Sequence, residues 1–140
     1  MFNKSNCNIN DMGKKPYVVN IKKLAKCNDA FRVALWTGEH LQTTLMSINV
    51  GDDIGKEMHS DVDQYIMIAD GCAKVYFGTS RAGLKFYKDV GPDDAIYVPA
   101  GTWHNVVNSG RKPLKVISVY GPPNHPFGTY QKTKKDAEEH

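Results

Sequence analysis

PAGTWHNVVN, residues 99–108, and GKEMHSDVDQ, residues 55–64, are the two stretches on which the fold turns. The second carries Glu57, His59 and Gln64, and the first carries His104 far downstream. Glu57 and His59 are two apart, so on an extended strand both side chains share one face. Ser60-Asp61-Val62-Asp63 is a turn-like cluster, after which Gln64 follows. A carboxylate, an imidazole and an amide oxygen on one hairpin, joined by a distant imidazole, have the composition of a divalent-metal site. Pro99 and Gly101 shape the bend that delivers His104, and Trp103, its strand neighbour, points the opposite way.

Outward from these stretches the chain reads as short β-runs between turn residues. Runs are expected at 17–19, 31–37, 41–50, 65–69, 73–77, 84–90, 95–98, 106–107 and 114–120. Gly38, Gly51-Asp52-Asp53, Asp70-Gly71 and Gly91-Pro92-Asp93-Asp94 punctuate them. Short strands at roughly 8- to 12-residue intervals indicate an all-β sandwich or barrel. Residues 1–15 are polar and expected to form a flexible N-terminal arm. Residues 16–137 are expected to form one barrel domain. GPPNHPFG, residues 121–128, is too proline-rich for a central strand and is expected to run as a fixed loop or extended arm. In the tail, KTKKDAEEH suggests a short helix started by Thr133, for which Asp136 is a weak capping partner.

These motifs resemble those of the cupins, small metal-binding barrels of the double-stranded β-helix, or jelly-roll, type. Gly91, Pro99, Gly101, His104 and Asn108 fit the second cupin motif, a glycine and spacer before P-x-G-x-x-H-x-x-x-N. Gly51, His59 and Gly71 fit the first. The chain departs from that first motif twice: Glu57 stands for its first histidine and Gln64 for its glutamate. A pectin-degradation group that opens unsaturated uronates has a histidine, a second two on, and a glutamine five further, a spacing similar to Glu57, His59 and Gln64. The wider chain is similar to single-domain bacterial cupins described as mannose-6-phosphate-isomerase-like. The resemblance implies a jelly-roll barrel, a homodimer and a metal held by Glu57, His59, Gln64 and His104. It does not select among isomerases, oxygenases, lyases and binding modules.

Composition excludes several other classes. Hydrophobic residues make up 41% and charged residues 24% of the 140, which is ordinary for a globular domain. The net charge of +3 is scattered without a basic stripe, so no nucleic-acid partner is expected. No apolar run approaches the ~18 residues of a membrane span, and the N-terminal stretch has no signal-peptide core. Cys7, Cys27 and Cys72 are odd in number with no C-x-x-C, which gives no disulfide framework and a reduced, cytoplasmic setting as the expectation.

Two imidazoles, one carboxylate and one amide oxygen suit Mn, Fe, Ni or Zn better than Cu(I). Only Glu57 among them is charged, so a divalent ion keeps residual positive charge able to stabilise an enolate, hydroxide or carboxylate. Three functions follow. One is an enzyme acting on a sugar or keto acid by metal-assisted isomerisation or proton transfer. Another is an Fe(II) dioxygenase, because Glu57, His59 and His104 have the composition of a two-histidine, one-carboxylate triad. The third is a non-catalytic small-molecule-binding module. Arg32 and Gln42, if they face inward, are candidates for binding a substrate carboxylate or hydroxyl. His125 remains open between a functional and a surface role, whereas His40 and His140 read as surface residues. Asp61 and Asp63 make the turn or orient a ligand histidine. Asn108 reads as a structural hydrogen-bonder.

Overall fold

The turn residues cut the chain into antiparallel strands, as the spacing predicts. A computed structural model describes residues 7–138. A helix, α1 (Ile21–Cys27), precedes β1 (Arg32–Thr37), β2 (Gln42–Ile48), β3 (Asp63–Asp70), β4 (Ala73–Gly78), β5 (Lys85–Val90), β6 (Ala95–Val98), β7 (Trp103–Asn108), β8 (Leu114–Gly121) and β9 (Tyr130–Gln131), and α2 (Lys134–Glu138) ends the domain. The strands form a six-stranded sheet of order β6-β3-β8-β2-β1-β9 facing a three-stranded sheet of order β5-β4-β7. Isolated bridges Asp53↔Val107 and Glu57↔His104 extend the smaller sheet beside β7. The result is the all-β jelly-roll barrel expected from the sequence.

Period-2 alternation distributes the side chains of the large sheet between two cores. Met46 and Ile48 of β2, Ile66 and Ile68 of β3 and Val116 of β8 point into the barrel, against Val75 and Val106 of the smaller sheet. Leu45 and Ile117, one residue out of phase, point outward onto Ala25, Leu24 and Ile21 of α1. Both faces of the large sheet are therefore covered, and β1, β2 and β8 read as nearly continuous buried runs. Full burial of an Ile or Val is worth ~1.5–3 kcal/mol, so the two layers together hold the sheet rigid behind the site.

Three expectations are corrected. Residues 17–19 form no strand; they lead into α1, whose Asn20 cap accepts a hydrogen bond from the Lys23 N–H at 3.1 Å. Glu57 and His59 lie in the connection from β2 to β3 rather than on a hairpin strand, and only Glu57 forms a bridge. Cys7 and Cys27 are joined as a disulfide with Cα atoms 5.7 Å apart, because α1 delivers Cys27 beside the N-terminal segment; Cys72 is free and exposed.

Of the N-terminal segment, residues 1–6 lie outside the described residues. Residues 7–15 lie against the barrel. The Asp11 carboxylate accepts from the Thr37 N–H and hydroxyl and from the Gly13 and Gly128 N–H groups. At the other end, Thr133 and Asp136 cap α2 reciprocally: the Thr133 hydroxyl accepts from the Asp136 N–H, and the Asp136 carboxylate accepts from the Thr133 N–H. None of the described helices is long and apolar enough to cross a membrane.

Candidate metal centre

The turn after β6 positions His104. Gly101 takes φ +83°, a left-handed conformation that suits glycine, and its N–H donates to the His59 carbonyl at 2.8 Å. Asp63 steadies the same turn by accepting from the Ala100 N–H at 2.9 Å. Asp63 thus braces the 99–102 turn rather than its own 60–63 turn. Glu57 and His104 then exchange both backbone hydrogen bonds, at 3.0 and 2.9 Å, so the β2–β3 connection is tied to β7 where their side chains meet.

Glu57 Oε1 lies 3.5 Å from His59 Nε2 and 4.0 Å from His104 Nε2. The candidate ligand atoms of the three residues all fall within 4.8 Å of one another. His104 is fully buried, and its Nδ1 lies 3.1 Å from the Thr102 carbonyl. An Nδ1–H donated there leaves Nε2 as a lone pair facing Glu57 and His59. Burial holds the His104 pKa below the ordinary histidine value, against the opposing effects of the Thr102 carbonyl and Glu57. For Glu57, burial pushes the pKa up, but the adjacent His59 imidazole and the charge of Arg32 outweigh it, and the carboxylate stays ionised.

Gln64 enters from β3, buried, with Nε2 only loosely placed against the Ser118 hydroxyl at 3.4 Å. Its Oε1 has no partner. The same is true of His59 Nε2 and His104 Nε2, all of them buried. Buried polar atoms in native proteins are almost always paired, so the orphan His59 Nε2 and His104 Nε2, 3.5 and 4.0 Å from the Glu57 carboxylate, call for a cation. The donor set therefore fits a divalent metal.

The remaining candidates sort cleanly. Gln42 is buried but spends all its hydrogen-bonding capacity on the protein. Its amide donates to the Thr37 hydroxyl and the His125 carbonyl, and its Oε1 accepts from the Asn124 and His125 N–H groups. It fixes the proline-rich loop rather than facing a substrate. That loop places His125 edge-on to Tyr120, with ring centroids 5.3 Å apart, and Tyr120 in turn stands edge-on to His59. Burial, then the nearby charge of Arg32, lowers the His125 pKa to about 4, so the imidazole is neutral at pH 7. His40 is exposed as expected, and His140 lies outside the described residues. Asn108 bridges three segments. Its amide donates to the Ile48 and Lys112 carbonyls and its oxygen accepts from the Gly110 N–H, a structural role.

A cavity of about 370 Å³ opens beside Glu57, walled by Arg32, Lys56, Arg81, His125, Gln131 and Lys134. Lys134 is pinned by Asp52 and Asp53, and Asp53 also accepts from Asn105 of β7. These latch residues, with Gln131, carry no local motif and are visible only once β9 and α2 are folded back. A larger concavity of about 640 Å³ lies under the N-terminal segment and contains none of the site residues.

The Cupin domain family model matches residues 44–120. The uncharacterized protein YrkC of Bacillus subtilis (strain 168) is 55% identical over 92% of this chain and 69% of its own length. The crystal structure of a Bacillus halodurans protein, 51% identical, superposes with a TM-score of 0.92 and covers 94% of this chain and 100% of that one. The structure of KdgF from Halomonas sp. is 19% identical with a TM-score of 0.58 over 66% of this chain and 80% of its own, a likeness of fold alone.

Proposed function

The chain belongs to the cupin family, and on that premise we propose that it is a metal-dependent enzyme. In this reading it binds one divalent ion, Mn, Fe, Ni or Zn, through Glu57, His59, Gln64 and His104. It acts on a small polar substrate, a sugar or keto acid, by metal-assisted isomerisation or proton transfer. One observation carries the reading: His59 Nε2 and His104 Nε2 are buried without hydrogen-bond partners 3.5 and 4.0 Å from the Glu57 carboxylate, and Gln64 Oε1 is likewise buried and unpaired. Leaving such atoms unpaired costs ~1–3 kcal/mol each, and coordination offsets that cost.

When bound, the ion supplies Lewis acidity toward a substrate oxygen. The chain's own residues do the rest. The Thr102 carbonyl keeps the His104 tautomer in place. Tyr120, a buried phenol whose pKa burial raises, packs against His59 and His125 and stays protonated. His125, uncharged, meets a substrate as a hydrogen-bonding group on the cavity wall. The latch of Lys134 on Asp52 and Asp53 holds α2 over the cavity and limits water.

Metal analysis of protein purified without added ions, followed by titration of the stripped protein, tests this proposal. Stoichiometric binding that His59→Ala and His104→Ala abolish, with the fold retained, supports it; full binding by both variants refutes it. A second reading, an Fe(II) dioxygenase, is favoured by the grouping of two imidazoles and one carboxylate. Oxygen uptake by the Fe(II)-loaded protein with candidate substrates separates the two. We include a homodimer in the proposal. Phe86 and Tyr87 on β5 and Tyr97 on β6 are exposed along the edge strands of both sheets, which supports it.

A further inference from the structure

Arg32 is the most unusual charge in the domain. It sits on β1 with only 3% of its surface exposed. Its partners do not fill it. One terminal nitrogen donates to Gln131 Oε1 at 2.7 Å, a neutral group. The other lies 3.6 Å from Glu57 Oε2, too far for a good hydrogen bond. Its Nε–H is buried with no partner at all. A guanidinium is a planar fork of five donors suited to bidentate carboxylate recognition, and here much of the fork is unused.

The surroundings point the same way. Arg32 lines the 370 Å³ cavity together with Lys56, Arg81 and Lys134, against the carboxylates of Glu57 and Glu138. Lys134 is neutralised from behind by Asp52 and Asp53, whereas Lys56 and Arg81 make no ion pair among the described residues. Glu57 is shared with the histidine cluster. The cations without an ion-pair partner, Lys56 and Arg81, stand on the cavity wall beside Arg32, which biases its mouth toward an anion. A sugar hydroxyl can accept from the Arg32 fork but leaves its charge uncompensated. A carboxylate meets both the donors and the charge.

We propose that Arg32 anchors the carboxylate of the substrate, so that the cavity takes a small 2-oxo or 2-hydroxy acid with its neighbouring oxygen turned toward the Glu57, His59 and His104 cluster. The placement of that second oxygen rests on the metal reading above; the carboxylate anchor does not. Gln131 keeps the guanidinium plane fixed, and Lys56 and Arg81 at the exposed rim attract the anion without fixing it. The specificity is for charge: charged hydrogen bonds to a buried guanidinium are worth ~1.5–3 kcal/mol, a factor of about 10 to 150 in affinity.

Pyruvate and its neutral amide, pyruvamide, are the probes, titrated into the full chain in its metal-free and Zn(II)-loaded forms and followed by protein NMR shifts. Pyruvate is expected to bind about 30-fold more tightly than pyruvamide. The preference is expected in both forms, with tighter absolute affinity in the loaded one. Arg32→Gln is expected to bring pyruvate down to the pyruvamide level while a separate Zn(II) titration still shows stoichiometric uptake. Arg32→Lys, which keeps the charge in the buried site, is expected to lose about 10-fold for pyruvate and nothing for pyruvamide. It decides the matter if Arg32→Gln does not fold. Equal binding of the two probes by wild type, or an undiminished pyruvate preference in either Arg32 variant, overturns the anchor. A chain that takes up no Zn(II) yet prefers pyruvate through Arg32 overturns the metal reading alone.

Discussion

Exchanging Glu57 for Gln removes one charge and little volume, and its cost follows from the site's dimensions. Glu57 Oε1 stands 4.0 Å from His104 Nε2, which sets the scale of the cluster. Unit charges about 4 Å apart interact by ~1 kcal/mol in water and ~4 kcal/mol at the effective dielectric of a protein surface, so a divalent ion doubles these to ~2 and ~8. The Glu57 side chain keeps 26% of its exposure, which places the loss toward the lower end, at ~3–4 kcal/mol or a few hundredfold in affinity. Arg32, 3.6 Å from Oε2, adds to the loss because its charge then faces the ion with no carboxylate between them. Gln64→Ala removes only a dipole, worth ~1 kcal/mol or about fivefold. Competition titrations with a chromophoric chelator, run with Mn, Ni and Zn at neutral pH, measure both. Far-UV circular dichroism and urea curves check the fold. Equal losses for the two variants refute the reasoning: Glu57 then does not coordinate, and the centre has two histidines and one amide.

Three further outcomes are expected. Asn108→Ala deletes two donors to buried carbonyls and one acceptor, and should cost ~2–4 kcal/mol in urea unfolding with metal affinity intact; a loss below ~1 kcal/mol contradicts the bridge described for it. His125 has a folded pKa of about 4 against an ordinary 6.5, so the unfolded state binds more protons between those values. Stability of the metal-free protein should therefore fall as pH drops through that window, by up to ~3 kcal/mol. His125→Gln should flatten the slope in part, because His104, also lowered by burial, contributes with the same sign; an unchanged slope in that variant speaks against a buried neutral His125. Tyr97→Glu, at an exposed edge position, should shift sedimentation from dimer to monomer, and a wild-type monomer removes the dimer from the proposal.

The barrel was legible because its signals are local. Each β-run is bounded by its own glycines, prolines and aspartates, and alternation within a run needs no knowledge of the partner strand. α1 escaped because it is only seven residues long. Its stripe of Ile21, Leu24 and Ala25 spans too little sequence for a 3.6-residue period to stand out beside Tyr17-Val18-Val19, a stretch of good β-formers. What makes these residues helical is tertiary: they bury that stripe on the outer face of the large sheet, against Leu45 and Ile117. The Cys7–Cys27 link was hidden for the same reason, since it depends on where α1 docks.

The site divides along the same line. Glu57, His59 and His104 lie on motifs whose spacing carries the chemistry, so their approach to one another could be read from the sequence, with Gln64 proposed beside them. Arg32 and Gln42 differ from them. Both are buried polar residues on neighbouring strands, β1 and β2, and nothing local distinguishes a guanidinium with unused donors from an amide with none. Gln42 is satisfied by a loop 83 residues away, and Arg32 is left half-met by a glutamine 99 residues away. The difference lies entirely in the partners, because burial costs a polar group only what its surroundings fail to return. Gln42 is therefore a structural clamp on the His125 loop. Arg32, bonded to Gln131 and still holding an unspent Nε–H, lines a cavity whose wall also includes Glu57, which is where the proposed carboxylate anchor draws on its remaining donors.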